Sequence, residues 1–238
     1  MKYEFTGETQ PFCGVTLRRI RALVNIGKNV KAGDIGGWIE KEENLSQHDN
    51  AWVSGDAQVS GDARVSDDAW VSGDAQVSGD ARVSGDARVS GNAQVSGNAQ
   101  VSGDARVSGD ARVSGDARVS GNAQVSGNAQ VSGDARVSGD ARVSGNAQVS
   151  GNAQVSGDAW KESPLYIQGT KYGFTVSSKT KITVGCQSHT FAQWKRHWKS
   201  IAEANDFTEP EQKEYIAYFN LACDRYGHED CKIERMEN

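Results

Sequence analysis

A valine stands at every sixth position of this chain from Val53 to Val155. Each valine opens a six-residue unit of the form Val-Ser-Gly-(Asp/Asn)-Ala-(Arg/Gln/Trp), and the units continue without insertion to Trp160. Disordered polar tracts do not place an aliphatic residue at a strict interval, whereas repeat structures require one. We therefore predict that this block is an ordered array of eighteen structural repeats.

Each unit has the pattern of a short strand and a tight corner. The stretch Ala-x-Val alternates apolar and polar residues, as in a strand with one buried face. Ser-Gly-Asp or Ser-Gly-Asn then favours a corner, because glycine adopts positive φ without steric cost. So short a strand cannot bury its valine alone, and the units must stack. The sequence predicts a mainly β fold, a single-chain parallel β-helix over residues 51–160 with three units per coil and about six coils.

The outward positions of the units carry a second pattern. Most units combine Asp with Arg or Asn with Gln. Residues 79–108 are identical to residues 109–138, and thirty residues are not a whole number of eighteen-residue coils. The second of these identical segments should therefore carry the Asp/Arg and Asn/Gln pattern on a different wall of the three-sided coil. We predict solvated walls without a constant chemistry, the alternative being a stripe that docks a partner.

The acidity of the chain belongs to this repeat block. The formal net charge is −5, and the block holds 13 Asp and 8 Arg, so the flanking segments are neutral. This balance argues against nonspecific nucleic-acid binding, which needs clustered cations. We find no apolar run that could span a membrane and no secretion signal, and the four cysteines lie far apart. We expect a cytoplasmic protein with reduced thiols and no membrane attachment.

Residues 1–50 are predicted to cap the first coil, because the open end of a solenoid exposes unpaired strand edges. The passage from Gly33 to Ser46 has the turns of an irregular first coil. Before it, Thr16–Val24 is either a strand or a short helix. Its arginines are either solvated parts of the cap or a site for an acidic partner. These residues are Arg18, Arg19 and Arg21.

Residues 161–238 are predicted to form a small α+β domain. Ser163-Pro164 breaks the repeat, and strand-like alternation follows as far as Val184. One helix is expected near residues 190–204, and a second begins with the capping signature Thr208-Glu-Pro-Glu211 and ends at Gly227. Aromatic residues on these helices are either core or a partner-binding patch. They are Trp194, Trp198, Tyr215 and Tyr218.

Two short motifs in this domain have the spacing of zinc ligands. Cys186-x-x-His189 and His228-x-x-Cys231 are compatible with two halves of a tetrahedral site, and simply buried cysteines are the alternative. The glycines of the repeat do not form a nucleotide-binding loop. We expect no organic cofactor.

The hexads resemble those of the hexapeptide-repeat proteins, although serine stands here where that family favours Gly, Ala, Glu or Asp. The resemblance implies a left-handed, three-sided β-helix. Enzymes of that family are acyl or related transferases that use a histidine on a coil or an inserted loop. The block from Val53 to Trp160 contains no histidine and no insertion, so we expect no enzymatic activity.

The passage Gly36–Ser46, the hexads and Ile182–Cys186 together resemble uncharacterised phage and prophage proteins of enteric bacteria. This resemblance implies an accessory protein that occupies host machinery in the host cytoplasm. We expect a non-enzymatic scaffold whose ends bind a host or phage protein and blunt host defence. The alternatives are a structural rod, fibre or virion component, and an acyltransferase. A closed dimer or trimer would fit the scaffold, and open polymers the structural rod.

Overall fold

The fold is described from a computed structural model, which defines residues 1–157, 159–160 and 163–234. Its body, called the rod below, is a parallel β-solenoid of about seven turns. Each strand of the rod pairs in parallel with the strand eighteen residues later, for example Val89 with Val107 and Val107 with Val125. The predicted mainly β solenoid is confirmed.

An antiparallel hairpin precedes the rod. β1 (Tyr3–Phe12) pairs with β2 (Val15–Ala22), and β2 pairs with β3 (Ile35–Ile39). Cys13 and Gly14 join β1 to β2 with φ of 46° and 86°, the geometry that suits a two-residue hairpin turn. The segment Thr16–Val24, left open between strand and helix, is therefore mostly strand.

The strands of the rod contain two or three residues each and recur every six residues. They are β4 Trp52–Val53, β5 Gln58–Val59, β6 Arg64–Val65, β7 Trp70–Val71, β8 Gln76–Val77, β9 Arg82–Val83, β10 Arg88–Val89, β11 Gln94–Val95, β12 Gln100–Val101, β13 Arg106–Val107, β14 Arg112–Val113, β15 Arg118–Val119, β16 Gln124–Val125, β17 Gln130–Val131, β18 Arg136–Ser138, β19 Arg142–Val143, β20 Gln148–Val149, β21 Gln154–Ser156 and β22 Ala159–Trp160.

The rod has one turn more than its eighteen hexads supply, because β3 and the residues after it form a turn of their own. β3 pairs in parallel with β5. A short 3-10 helix (Glu42–Asn44) follows, and Leu45 forms a parallel bridge with Val65. Ile39 and Leu45 are buried beneath the hexad valines and occupy the place of valine in this first turn.

From Val53 to Val155, the valines and alanines of the hexads fill the interior of the rod and are at most 1% exposed. At the corners, glycines with φ between about 61° and 69° let neighbouring coils approach closely. A Cβ at Gly103, for instance, would lie 3.1 Å from the backbone nitrogen of Gly121. Asp67 is the one residue that replaces a corner glycine, and its carboxylate accepts a 3.0 Å hydrogen bond from the N–H of Gly85 one coil later.

The carboxyl-terminal domain contains a four-stranded antiparallel sheet and two α-helices. Thr190 caps the first helix through the N–H of Gln193, and Thr208 and Glu211 form the predicted capping box of the second. The helix ends at Gly227, whose φ is 74°. The two predicted helices are confirmed. The elements are β23 Tyr166–Gln168, β24 Gly173–Ser178, β25 Lys181–Val184, β26 Gln187–Thr190, α1 Phe191–Ala204, α2 Glu209–Tyr226 and a 3-10 helix Glu229–Cys231.

The two faces of this small sheet differ in polarity. Phe174, Val176 and Ile182 are buried on the face that contacts the helices. Thr175, Ser177 and other hydroxyl residues lie on the opposite face, where β24 approaches β21 of the rod. The domain boundary predicted at residue 161 and the last residues, 235–238, lie outside the described residues.

Candidate assembly surfaces

One wall of the rod is dominated by glutamine. It belongs to the nine-stranded sheet β1-β2-β3-β5-β8-β11-β14-β17-β20. Five of the six outward residues contributed by its hexads are glutamine, and neighbouring ones pair in register. The inference that no wall keeps its own chemistry is wrong for this sheet. The residues of this glutamine wall are Gln58, Gln76, Gln94, Arg112, Gln130 and Gln148.

The other two walls are rich in arginine. Their outward residues stack in register from coil to coil, so that the backbone positions of these residues recur at the spacing of neighbouring strands, about 4.8 Å. Three pairs of arginines lie directly opposite each other, which is unfavourable for like charges. The pairs are Arg64 with Arg82, Arg88 with Arg106, and Arg118 with Arg136.

Asparagine at a corner bonds to the corner residue of the next coil. The side-chain amide of Asn92 donates to Asp110 at 2.9 Å, and that of Asn122 donates to Asp140 at 3.0 Å. An amide above a carboxylate replaces a like-charge contact with a hydrogen bond. The two kinds of hexad therefore complement each other along a corner, which favours the solvated-wall interpretation of the Asn and Asp pattern.

At the amino-terminal end, β1 forms an edge of the nine-stranded sheet. The N–H of Leu23 donates to the carbonyl of Lys2, so the alternation of an antiparallel ladder turns the backbone N–H and C=O groups of Phe5, a half-buried residue, away from β2. An edge strand with outward backbone groups is a template for pairing with another chain. The sequence patterns above did not single out β1, since its residues lack a strict alternation.

Two buried polar side chains fix β1 to the first turn. The ammonium of Lys2 donates to the backbone carbonyls of His48 (3.1 Å) and Ala51 (2.7 Å). The hydroxyl of Tyr3 donates to the backbone carbonyl of Leu45 at 2.9 Å. Burial lowers the pKa of Lys2 to about 8, against the opposing effect of nearby Asp49. Burial also raises the pKa of Tyr3.

The three predicted arginines lie on β2, and each is engaged within the chain. The guanidinium of Arg18 lies 5.2 Å from the ring centre of Phe5. Arg19 lies 4.8 Å from the ring centre of Trp38 and forms a 3.2 Å ion pair with Asp56. Arg21 pairs with Glu4. These contacts correspond to the capping alternative, and binding of an acidic partner by Arg18, Arg19 and Arg21 stays a prediction.

The carboxyl-terminal end of the rod is covered. The N–H of Gln148, on the outermost strand of the glutamine wall, donates to the hydroxyl of Ser163 at 3.0 Å. The N–H of Asn152 lies 3.3 Å from the hydroxyl of Tyr166. Because the carboxyl-terminal domain takes up these donors, this end offers less of an open strand edge than β1 does.

Three of the four predicted aromatic residues are in the core of the carboxyl-terminal domain. Trp194 and Tyr215 are each 1% exposed, and Trp198 is 5% exposed. Trp194 and Trp198 also line a small cavity of about 50 Å³. Tyr218 is half-buried, and its hydroxyl donates to Glu214 at 2.7 Å. This placement corresponds to the core alternative, and partner binding by these residues stays a prediction.

The predicted zinc ligands are not gathered around one point. Cys186 is exposed in the turn between β25 and β26, and the ring of His189 packs against Trp194. His228 stacks on Phe191, while Cys231 is buried near Cys223. No group of three or more His, Cys, Asp or Glu side chains in the described part of the chain is placed to hold a metal ion. The spacing within each motif relates only residues that are close in sequence, and the fold directs these side chains to different neighbours.

The fold and its surfaces define a structural repeat protein, a β-solenoid rod with an antiparallel hairpin at its amino-terminal end and a four-stranded sheet with two helices at its carboxyl-terminal end. Residues 63–193, more than half of the chain's 238 residues, match the family described as bactofilin, polymer-forming cytoskeletal. The chain belongs to the bactofilin family. No curated protein matches the chain. Within the described residues, no helix is long and apolar enough to cross a membrane.

Proposed function

We propose that this protein is a structural rod that assembles with copies of itself into polymers. The observation that carries the proposal is the open β1 edge at one end of an insertion-free solenoid. The description of its family as polymer-forming and cytoskeletal supports the same function. The structural-rod alternative from the sequence thus takes precedence over binding of a host partner.

The first contact in this assembly is antiparallel pairing of two β1 strands. The same strand then serves both copies, which gives a two-fold dimer in which the nine-stranded sheets of two rods become continuous. Main-chain hydrogen bonds supply the affinity in such strand addition. Pro11 limits the pairing to part of the strand, because it has no N–H to donate.

Growth beyond a dimer requires a second contact, and the glutamine wall supplies it. A primary amide both donates and accepts hydrogen bonds, so two such walls are self-complementary when rods lie side by side. The wall carries a single cation, Arg112, and therefore little like-charge repulsion between copies. Stacked glutamine ladders are a known basis of sheet-to-sheet association.

The test compares the wild type with variants of the β1 edge. The hairpin turn closes at Phe12 and Val15, so alternation directs the N–H of Thr9 to the outer edge. Thr9→Pro removes that backbone N–H. Thr9→Ala is the matched control, because alanine keeps the backbone N–H at this position. Sedimentation velocity and negative-stain electron microscopy should show concentration-dependent polymers for the wild type and Thr9→Ala, and smaller species for Thr9→Pro.

Each outcome decides a separate point. A wild-type protein that remains monomeric at every concentration would contradict the polymer-forming function. Polymers that persist unchanged in Thr9→Pro would leave that function in place and exclude the β1 edge as its contact. Near-ultraviolet circular dichroism checks that all three proteins are folded.

Binding of a host or phage protein in the cytoplasm, with an effect on host defence, is a finer proposal that rests on the sequence resemblance alone. Its candidate contacts are the β2 arginines and the aromatic residues of α1 and α2. Affinity capture with the whole chain and with a chain lacking residues 161–238 tests it, and identical captured proteins would exclude the carboxyl-terminal contacts.

A further inference from the structure

We infer that a cleft between the rod and the carboxyl-terminal domain binds a phosphate-bearing, hydroxyl-rich small molecule such as a sugar phosphate. The cleft has a volume of about 390 Å³, within the usual range of ligand sites. One side is the wall of the rod formed by the six-stranded sheet β21-β18-β15-β12-β9-β6, with Arg118, Arg136 and Gln154. The other side is the hydroxyl face of the small sheet. We call it the polar cleft.

Two unpaired cations define the charge of the polar cleft. Arg118 and Arg136 lie opposite each other on adjacent strands, β15 and β18, and neither forms an ion pair among the described residues. Carboxylates do not line the cleft, although Asp116 and Asp134 lie two residues before each arginine. An oxyanion between two guanidinium groups relieves their repulsion and accepts several charge-assisted hydrogen bonds. The cleft therefore selects an anion.

The facing wall of the polar cleft is made of hydroxyl groups. Ser177 and Thr183 are only 3% and 6% exposed, although the surfaces by which domains pack are usually apolar at their centre. The hydroxyl of Thr183 lies 2.9 Å from that of Ser177 and 3.1 Å from that of Ser188. Thr183 has one proton and can donate to only one of them, and Ser177 can donate to the carbonyl of Lys181 at 3.4 Å, so the hydroxyl of Ser188 can turn its own proton toward a ligand.

The composition of the lining also limits the body of the ligand. Aromatic rings are absent from it, and the one apolar residue, Val155, is 1% exposed because its side chain belongs to the core of the rod. A nucleobase or an acyl chain would gain little from such a surface. A sugar fits better, because its hydroxyls can exchange hydrogen bonds with Gln154 and with the serine hydroxyls.

The repeat itself supplies the variants for a test. Arg118→Gln with Arg136→Gln places in the wall a residue that other hexads carry at the same position, so the fold should be retained. Arg64→Gln with Arg82→Gln is the matched control, since these two arginines are paired in the same way on the same wall, near the other end of the rod. Isothermal titration calorimetry with glucose 6-phosphate, inorganic phosphate and glucose measures binding.

We expect the wild type and the Arg64/Arg82 variant to bind glucose 6-phosphate equally, and the Arg118/Arg136 variant to bind it at least about tenfold more weakly. Ser188→Ala should weaken the binding of glucose 6-phosphate but not that of inorganic phosphate, because the substitution removes a hydroxyl on the side of the cleft that contacts the sugar. Absence of binding at about 10 mM glucose 6-phosphate, or equal losses in both arginine variants, would overturn the proposal. Equal affinity for phosphate and glucose 6-phosphate would overturn the role of the hydroxyl wall.

Discussion

The middle of the rod and its two ends are stabilised in different ways. In the middle, each valine layer lies between two identical layers, as Val107 does between Val89 and Val125. At the ends, contacts made by individual side chains outside the repeat fix the structure. A Cβ at Gly36, for example, would lie 2.5 Å from Ile20 Cγ1 and 2.7 Å from the ring of Trp52. The middle is thus defined by repetition and the ends by individual side chains.

Because of this difference, the length of the rod can change without changing the side chains at its ends. A solenoid whose stability is a sum over neighbouring turns can gain or lose hexads without a new design of its core. The identical segments 79–108 and 109–138 are consistent with growth of this kind. The ends cannot be copied in the same way, because their packing involves residues such as Trp52 and Trp160 that differ from the common hexad. Features that distinguish this protein from other rods should therefore lie at its ends and on its walls.

The largest expected effect is that of a charge in the middle of the rod. Val107→Asp places a carboxylate among columns of valine that are fully buried, and should lower the free energy of unfolding by about 4 kcal/mol or more. Urea unfolding, monitored by far-ultraviolet circular dichroism, measures this change in the free energy of unfolding. Arg106→Gln is the control, because it changes the adjacent outward residue. Equal midpoints for the two variants would contradict a core made of stacked valines.

A smaller and more local effect is expected at the carboxyl-terminal end. Trp194→Ala removes a buried ring whose indole N–H donates to the carbonyl of Ile182 at 2.8 Å, and should destabilise that domain by about 3 kcal/mol. Trp70→Ala is the matched control, since Trp70 is an outward, half-buried residue of the rod wall. Near-ultraviolet circular dichroism should report an early transition in Trp194→Ala while the far-ultraviolet signal of the rod persists. A single transition for both signals would show that end and middle unfold together.

The rod could be predicted from the sequence because one aliphatic residue at a fixed interval leaves little choice of fold. The first turn was harder, since Ile39 and Leu45 take the place of valine there and eight residues, not six, separate Leu45 from Val53. The glutamine wall was also present in the sequence. Glutamine recurs at Gln58, Gln76 and Gln94, eighteen residues apart, whereas the shift between the two identical segments indicates rotation of the pattern around the rod.

The end domains show what local patterns leave undecided. Aromatic residues at helical spacing have the same pattern in a core and on a binding surface, and only the fold places Trp194 against Ile182. Zinc binding stays a prediction for a related reason, because spacing within Cys186–His189 says nothing about where Cys231 lies. The polar cleft was not foreseen either, since it depends on how the small sheet faces the rod.

The smallest effect concerns the amino-terminal end and depends on pH. Burial holds the pKa of Lys2 at about 8 in the folded protein, below its ordinary value in the unfolded chain. The unfolded state therefore binds more protons between these values, and stability should rise with pH. Because part of the side chain is screened by solvent, we expect a rise of about 1 kcal/mol between about pH 8 and 10.

Above about pH 10 the raised pKa of Tyr3 should oppose this trend, because the unfolded chain then loses the tyrosine proton more readily than the folded one. Lys2→Met keeps an apolar stem and removes the titrating group. The difference in unfolding free energy between the wild type and Lys2→Met, measured by urea titration from pH 7 to pH 10, isolates the lysine. A difference that does not change with pH would mean that the ammonium of Lys2 remains solvated, and that the first turn is more open at this end than the contacts to His48 and Ala51 indicate.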